Sequence, residues 1–600
     1  MSNGDIVTSS QGLREPAEAG RKLSGRGAGR LCGLLLAVVL VVAAILRFHE
    51  IDRRGPAFFD EGIYHREGLW IYTAASSLKE AFERKLAEAR SGRNLYTFQE
   101  EAKRIAERIE GEPPVWGRPA FSLLTGLSMA CIGPRVYAAH AVSAFFGTLS
   151  VLALFFLARS VFPRRVALLA SLLLALSGYH YVYSVAGLAD VSAMFFTLVS
   201  FLFYSMSRRE DRIDLHAGWI ALTGALSGLA FTAHDRFLYA FFVILFCEAA
   251  DFFLRQGSRS TVLRRGLLLC CTFMIPLFLF ELPYYLGMVF LRRFQQALPF
   301  RTYFEELFTH HIFNFLDAFA FTMVDLSRIP EAREAGSRLY NFFTYPYLYF
   351  LFDGPVFLLL FLVGLLAAIR TRSRADTLLL AWFWVPFVLC SMGLAASVRY
   401  GLVFLPAAML LAARSIPLLS EWAARLPGIR RVPAGALAAL LLVAVAASNA
   451  AVTAELRGLR CSYEAPAGFL AEHGPRHISL QYPVSQAYFG ADSVKEPPRS
   501  REELEEAYRE GFRYYLVDFR KWFLRGRPGL TEQADVVEEI ERRLSPIFTY
   551  VHPCYSAACY IFEANIFFKA TLRLVREAHE RGLDEIRIYD LQPLFDSEEG

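Results

Sequence analysis

Several features are missing from this 600-residue chain, and each absence narrows its reading. No basic stripe with interleaved aromatics runs along it. The net charge of +5 comes mainly from short basic clusters, so nucleic-acid binding is set aside. No repeat of fixed period and no matched pair of interrupted apolar segments divides it into halves, which weighs against a repeat-built transporter. Ionisable residues are scarce in the middle of the apolar runs, where a transporter's coupling site would lie. The polar C-terminal stretch has no glycine-rich phosphate loop, and no retrieval signal closes the chain. Cysteine is thin, at nine residues. Cys32, Cys131, Cys247, Cys270, Cys271 and Cys390 lie in or beside apolar runs and read as small hydrophobes. Cys461, Cys554 and Cys559 lie in the tail, where two can pair if that tail meets an oxidising compartment.

What is present is apolar length. Hydrophobic residues make up 54% of the chain, with 53 Phe and 27 Tyr, and the mean hydropathy is +0.32. The excess is gathered into long runs, as expected of a polytopic α-helical membrane protein with about eleven transmembrane helices. The first run spans 31–48. Others fall near 134–158, 166–183, 189–206, 217–234, 237–254, 266–290, 346–369, 377–396, 400–418 and 433–453. The stretch 119–132 is apolar but short and reads as a re-entrant or interfacial helix. Residues 1–30 form a basic tail. The loops 159–165, 207–216, 255–265, 370–376 and 419–432 are all basic-rich. The positive-inside rule puts them in the cytoplasm with the N-terminus. Outer loops 49–118 and 291–345 and the tail 454–600 then face outside, and a bacterial inner membrane fits best. In the tail, strand-like runs 477–482, 514–519, 547–551, 560–564 and 585–591 alternate with helical stretches 501–510, 532–543 and 566–580. That pattern predicts a small extracytoplasmic α/β domain.

Chemistry-bearing residues gather at the outer ends of these spans. Asp60 and Glu61 follow the first span and form a carboxylate pair suited to a general base or a cation, or simply a solvated acidic loop. Asp190 opens a span, where the helix dipole also favours an acid. Arg399 and Tyr400 open another, as an anion clamp or an interfacial anchor pair. His234, Asp235 and Arg236 occupy an outer turn suited to phosphate or a metal. Adjacent His310 and His311 do not share a helix face, so an interfacial helix explains them better than a metal site.

The order of these parts resembles the GT-C glycosyltransferases, in particular the family 39 branch of protein O-mannosyltransferases and aminoarabinose transferases. The resemblance rests on Asp60-Glu61 after span one, Pro113-Pro114 before a short apolar helix, the run RRVALLASLLLALS, the segment from Tyr183-Ser184 to Asp190, and SVRYGLVFLPAAML. It covers residues 45–205 well and 380–415 weakly. Glu112 stands where some relatives carry a basic residue, and the stretch before the Pro pair is longer than usual.

The resemblance implies a GT-C-like transmembrane domain over 31–453. It implies inverting transfer of a sugar from a polyprenyl-phosphate donor to a lipid, glycan or protein acceptor outside the membrane. Asp60 would be the base, with Glu61 tuning it and Asp190 the second acid. Two like charges side by side would raise one pKa. Arg399, Tyr400 and Arg236 would hold the donor phosphate. A divalent metal is left open, with Asp60, Asp190 and His234 as candidate ligands. The alternative is a multi-span lipid or solute transporter or flippase.

Overall fold

The structure is a computed structural model. It describes residues 21–56, 59–91, 97, 100, 103–104, 118–208, 213–253, 259–295, 339–392, 398–423, 425, 433–457, 463–518, 520–524, 530–551 and 585–596. The Pro113-Pro114 pair, Glu112, His310-His311, the three tail cysteines and the predicted elements at 560–564 and 566–580 lie outside these residues. The six cysteines of the apolar runs are free thiols.

The chain is mostly helical. Five helices among the described residues are long and apolar enough to cross a membrane: Arg30–Arg53, Ala138–Val161, Asp190–Ser207, Arg259–Phe280 and Phe352–Thr371. Four shorter apolar helices accompany them: Pro119–Ile132, Ala217–Ala233, Ala375–Ser391 and Gly435–Ala451. The predicted span at 166–183 is instead two helices, Arg164–Leu176 and Gly178–Val185, bent by 57°.

The bend is held by a cap within the chain and by two distant charged side chains. Ser177 caps the second helix, its hydroxyl accepting from the His180 N–H at 3.1 Å. Fully buried Arg47, from the first span, donates to the carbonyls of Leu174 and Ala175 at the end of the first helix, both at 3.4 Å, and to His180 Nδ1 at 2.8 Å. Its charge thereby answers the carbonyl end of the broken helix. The buried carboxyl of Asp353 faces the opposite, N–H end at Gly178 and Tyr179.

Close approach of helices comes from small residues. A Cβ on Gly224 or Gly228, four apart on helix Ile213–Ala233, would collide with the backbone of Leu269 or Phe273 on helix Arg259–Gln295. This is the small-xxx-small contact by which spans pack without a hydrophobic driving force. Ser200 adds polar links, to Ser227 Oγ at 2.8 Å and to the Thr223 carbonyl at 3.0 Å.

The tail folds as a five-stranded sheet. Its strands are β1 (His477–Ser479), β2 (Val494–Lys495), β3 (Tyr514–Val517), β4 (Phe548–Val551) and β5 (Glu585–Asp590), in the order β2-β1-β3-β5-β4. β1 is parallel to β2 and β3, and β5 is antiparallel to β3 and β4. The two-residue β2 is too short to show as a hydrophobic run, so the sequence does not announce it. Helix Arg501–Arg509 starts at Ser500, whose hydroxyl accepts from the Glu503 N–H, while Glu503 reaches back to the Arg499 N–H at 2.7 Å. This domain sits directly on the membrane domain. Its helix Tyr482–Phe489 packs against helix Phe59–Ser91, and a Cβ on Gly62 would overlap the Pro483–Val484 backbone.

Candidate active site

Asp60 and Glu61 lie in the first turn of helix Phe59–Ser91. Successive helical residues project about 100° apart, and the two carboxylates part company. Asp60 Oδ2 accepts from Arg399 Nη1 at 2.8 Å and keeps 32% of its side chain exposed. Glu61 is buried. It accepts from the Gly187 N–H at 2.7 Å and lies 3.5 Å from His140 Nε2. The expected pairing of like charges is therefore corrected. Burial would push the Asp60 carboxyl up, but Arg399 and Arg118 outweigh it and hold it below the usual carboxylate range. Glu61 instead pins the loop that leads into Asp190.

Arg399 and Tyr400 stand on a 3-10 turn, Val398–Val403, that precedes helix Leu405–Ala423. Two side chains hold this turn by its carbonyls. Trp382 Nε1 donates to Val403 at 3.0 Å, and its ring stacks on Phe201 at 4.0 Å. The Tyr349 hydroxyl donates to Gly401 at 3.4 Å.

The outer turn His234–Arg236 meets the same place. His234 Nε2 lies 3.1 Å from Asp190 Oδ1, and His234 Nδ1 lies 2.9 Å from Asp235 Oδ1. The Arg236 guanidinium sits 4.9 Å from the Tyr400 ring centre and donates to the Tyr239 hydroxyl at 3.2 Å. The His234 and Tyr400 rings meet edge to face at 6.2 Å. One connected set of contacts thus joins Tyr400, Arg236, His234 and Asp190, while Arg399, next to Tyr400 in the turn, holds Asp60. The sequence places these residues on four separate segments.

The candidate metal ligands do not converge. Among the described residues no group of three or more His, Cys, Asp or Glu side chains is arranged to hold a metal ion. Asp60 is engaged by an arginine, and Asp190 and His234 face each other. His65, set beside the acidic pair in sequence, is buried near His140, and burial pushes it down to about 4.

Two contributors escaped the sequence reading. Arg118, just before helix Pro119–Ile132, reaches Asp235 at 3.5 Å and acts electrostatically on Asp60. Its only signal was a basic residue bordering an apolar run, which also describes an ordinary anchor. Glu67 is buried beneath the site and accepts from Ser122, and burial pushes its carboxyl up to about 7. It lies in the predicted outer loop 49–118, where nothing in the sequence singled it out.

The arrangement sets a half-open carboxylate against a guanidinium, with two more arginines nearby. That is a place for a proton acceptor beside an oxyanion. Residues 113–284 match the family described as dolichyl-phosphate-mannose-protein mannosyltransferase. Three solved structures share the fold. The apo oligosaccharyltransferase of Archaeoglobus fulgidus has a TM-score of 0.53 at 12% identity, over 86% of this chain and 73% of that one. The oligosaccharyltransferase AglB of the same organism, in complex with an inhibitory peptide and a dolichol-phosphate, has 0.51 at 11%, over 87% and 73%. Apo ArnT from Cupriavidus metallidurans has 0.50 at 14%, over 88% and 96%. The chain shares the fold of these GT-C glycosyltransferases. No curated protein matches its sequence. Five of its described helices are long and apolar enough to cross a membrane, and residues 113–284, the part that carries the family match, contribute Asp190, Arg236 and Arg118 to the candidate site.

Proposed function

We propose that the enzyme transfers a sugar from a polyprenyl-phosphate carrier to an acceptor hydroxyl on the extracytoplasmic face, with inversion. The observation that carries this reading is the 2.8 Å contact between Asp60 and Arg399. It sets a carboxylate able to take a proton beside a cation able to hold a phosphate. In the reaction, the acceptor oxygen bonds to the sugar's anomeric carbon as the bond from that carbon to the phosphate oxygen breaks. The acceptor proton passes to Asp60, and polyprenyl phosphate leaves with the bonding electrons.

Arg399 serves both partners. In the free enzyme it keeps Asp60 ionised. When the donor phosphate draws the guanidinium away, Asp60 becomes a stronger base at the moment it is needed. A low starting pKa is no obstacle, because a dialkyl phosphate's leaving group is weakly basic and the attack needs little proton removal before bond breaking. Arg118 and Arg236 share the developing phosphate charge, and Asp190 orients His234 at the rim. The AglB structure holds a dolichol-phosphate, which supports a lipid-linked donor here. The basic loops 159–165, 207–216, 255–265, 370–376 and 419–432 support a cytoplasmic side opposite the site.

The test is release of polyprenyl phosphate by the purified enzyme in nanodiscs, offered polyprenyl-phosphate sugars and an envelope extract. Donor-dependent release that Asp60→Asn lowers by about 10²–10⁴-fold while the variant stays folded fits a general base. Release unchanged in that variant would move the base elsewhere, and no release from any donor would sink the transferase reading.

A further inference from the structure

The C-terminal domain does more than ride on the membrane domain. Its contact falls on the turn of helix Phe59–Ser91 that carries Asp60. The Phe59 ring meets Tyr482 edge to face at 5.4 Å, and the Arg520 guanidinium lies 3.9 Å from the centre of the Phe59 ring. Nearly two helical turns further on, Arg66 Nη1 donates to Gln486 Oε1 at 2.9 Å. The first turn of this helix is therefore met from both domains, at Asp60 and at Phe59. Arg399 reaches it from a span end, and one residue back Arg520 reaches across from the other domain.

Arg520 is held in place by a buried device. The Asp518 carboxylate, at the carboxyl end of β3, accepts the Arg520 backbone N–H on Oδ1 at 2.8 Å. Its other oxygen accepts from the Tyr463 hydroxyl and from Gln481 Nε2 at 3.4 Å. Gln481 stands just past the end of β1, the parallel neighbour of β3. The carboxyl ends of adjacent parallel strands are where open α/β sheets bind ligands. Here that edge meets the helix start that bears Asp60. Asp518 has both oxygens engaged by other groups, and a guanidinium set over a ring presents its N–H donors to a further partner. Arg520, Tyr482 and Phe59 are each partly exposed.

We infer that the C-terminal domain builds the acceptor side of the active site, with Arg520 as the residue that selects an acceptor carrying an oxyanion, a phosphate ester or a carboxylate, close to the hydroxyl that is glycosylated. An in-plane guanidinium edge matches both groups bidentately. The donor phosphate is served from the membrane domain by Arg399, Arg118 and Arg236, so Arg520 is left for the other substrate. This inference rests on the transferase reading, and the transfer step is unchanged: Arg520 touches the acceptor's charge, not the reacting atoms.

The experiment uses the full-length enzyme in nanodiscs, a polyprenyl-phosphate sugar donor, and an envelope extract split on an anion exchanger into retained and unretained fractions. Sugar incorporation is expected in the retained fraction. Arg520→Gln should raise the acceptor KM about tenfold or more with the donor KM unchanged, the size of one charge-assisted contact. Arg520→Lys should recover part of the loss, which a purely structural role would not predict. Treating the retained fraction with phosphatase, or capping its carboxylates as amides, tells which oxyanion is read. Incorporation into the unretained fraction alone, or an unaltered acceptor KM in Arg520→Gln, would overturn the inference and leave the transferase intact. Absence of polyprenyl phosphate release with every fraction would instead remove the transferase reading and this inference with it.

Discussion

Replacing Arg399 by glutamine is the sharpest probe of the Asp60–Arg399 pair. Two opposite unit charges about 4 Å apart attract by about 4 kcal/mol at an effective dielectric near 20. Asp60 is 32% exposed, so solvent screening reduces that attraction to about 1–2 kcal/mol. With Arg399 present, Asp60 sits below the usual carboxylate range, and the acid limb of kcat/KM should fall below about pH 3.9. In Arg399→Gln, burial of Asp60 is no longer offset by its main partner. The limb should therefore move upward. The rate on the plateau should also drop, through loss of a phosphate contact. The sign is fixed: Asp60 must be ionised to accept a proton, so a raised pKa removes activity from the acid side inward. The assay is polyprenyl phosphate release from pH 3.5 to 8, with Arg399→Lys as the variant that retains charge and should keep the limb low. An unmoved limb in Arg399→Gln with measurable residual activity would refute the reasoning, as would a limb that follows Glu61→Gln instead.

Glu67→Gln should stabilise the enzyme at pH 8 and be nearly neutral at pH 4. The folded carboxyl lies at about 7 against about 4.3 unfolded, so a charge penalty of about 3 kcal/mol builds between those values and stays above them. An equal thermal shift at both pH values would contradict this. Trp382→Phe keeps the stack on Phe201 but loses the hydrogen bond to Val403. It should cost about 0.5–1.5 kcal/mol of stability and raise the donor KM more than it lowers kcat, because the turn bearing Arg399 loosens. Gly228→Leu should destabilise the detergent-solubilised protein by about 1–3 kcal/mol or prevent folding, since its side chain must displace the Phe273 backbone. An unchanged melting temperature would show that the two helices separate without cost.

The apolar helices, the α/β character of the tail and most residues of the candidate site were legible in linear features. Apolar run length tracks the thickness of a bilayer, so helices such as Ala138–Val161 and Asp190–Ser207 could be placed from sequence to within a few residues. Alternation of strand-like and helical runs likewise located β1, β3, β4 and β5. Asp60, Asp190, Arg236, Arg399 and Tyr400 could be chosen because charged and aromatic residues at span ends are few. What sequence could not decide was which of them touch. Side-chain direction on a helix sent Asp60 to Arg399 and Glu61 to Gly187, although they are neighbours in the chain. The break at Ser177 depends on Arg47, 130 positions earlier, and is invisible to a hydropathy window. Arg118 and Arg520 come to the candidate site only because helix Phe59–Ser91 packs both against helix Pro119–Ile132 and against helix Tyr482–Phe489 of the tail. Run length and periodicity are local and survive in one dimension. Pairing across hundreds of residues is set by how helices and domains close-pack, and only the tertiary structure carries that.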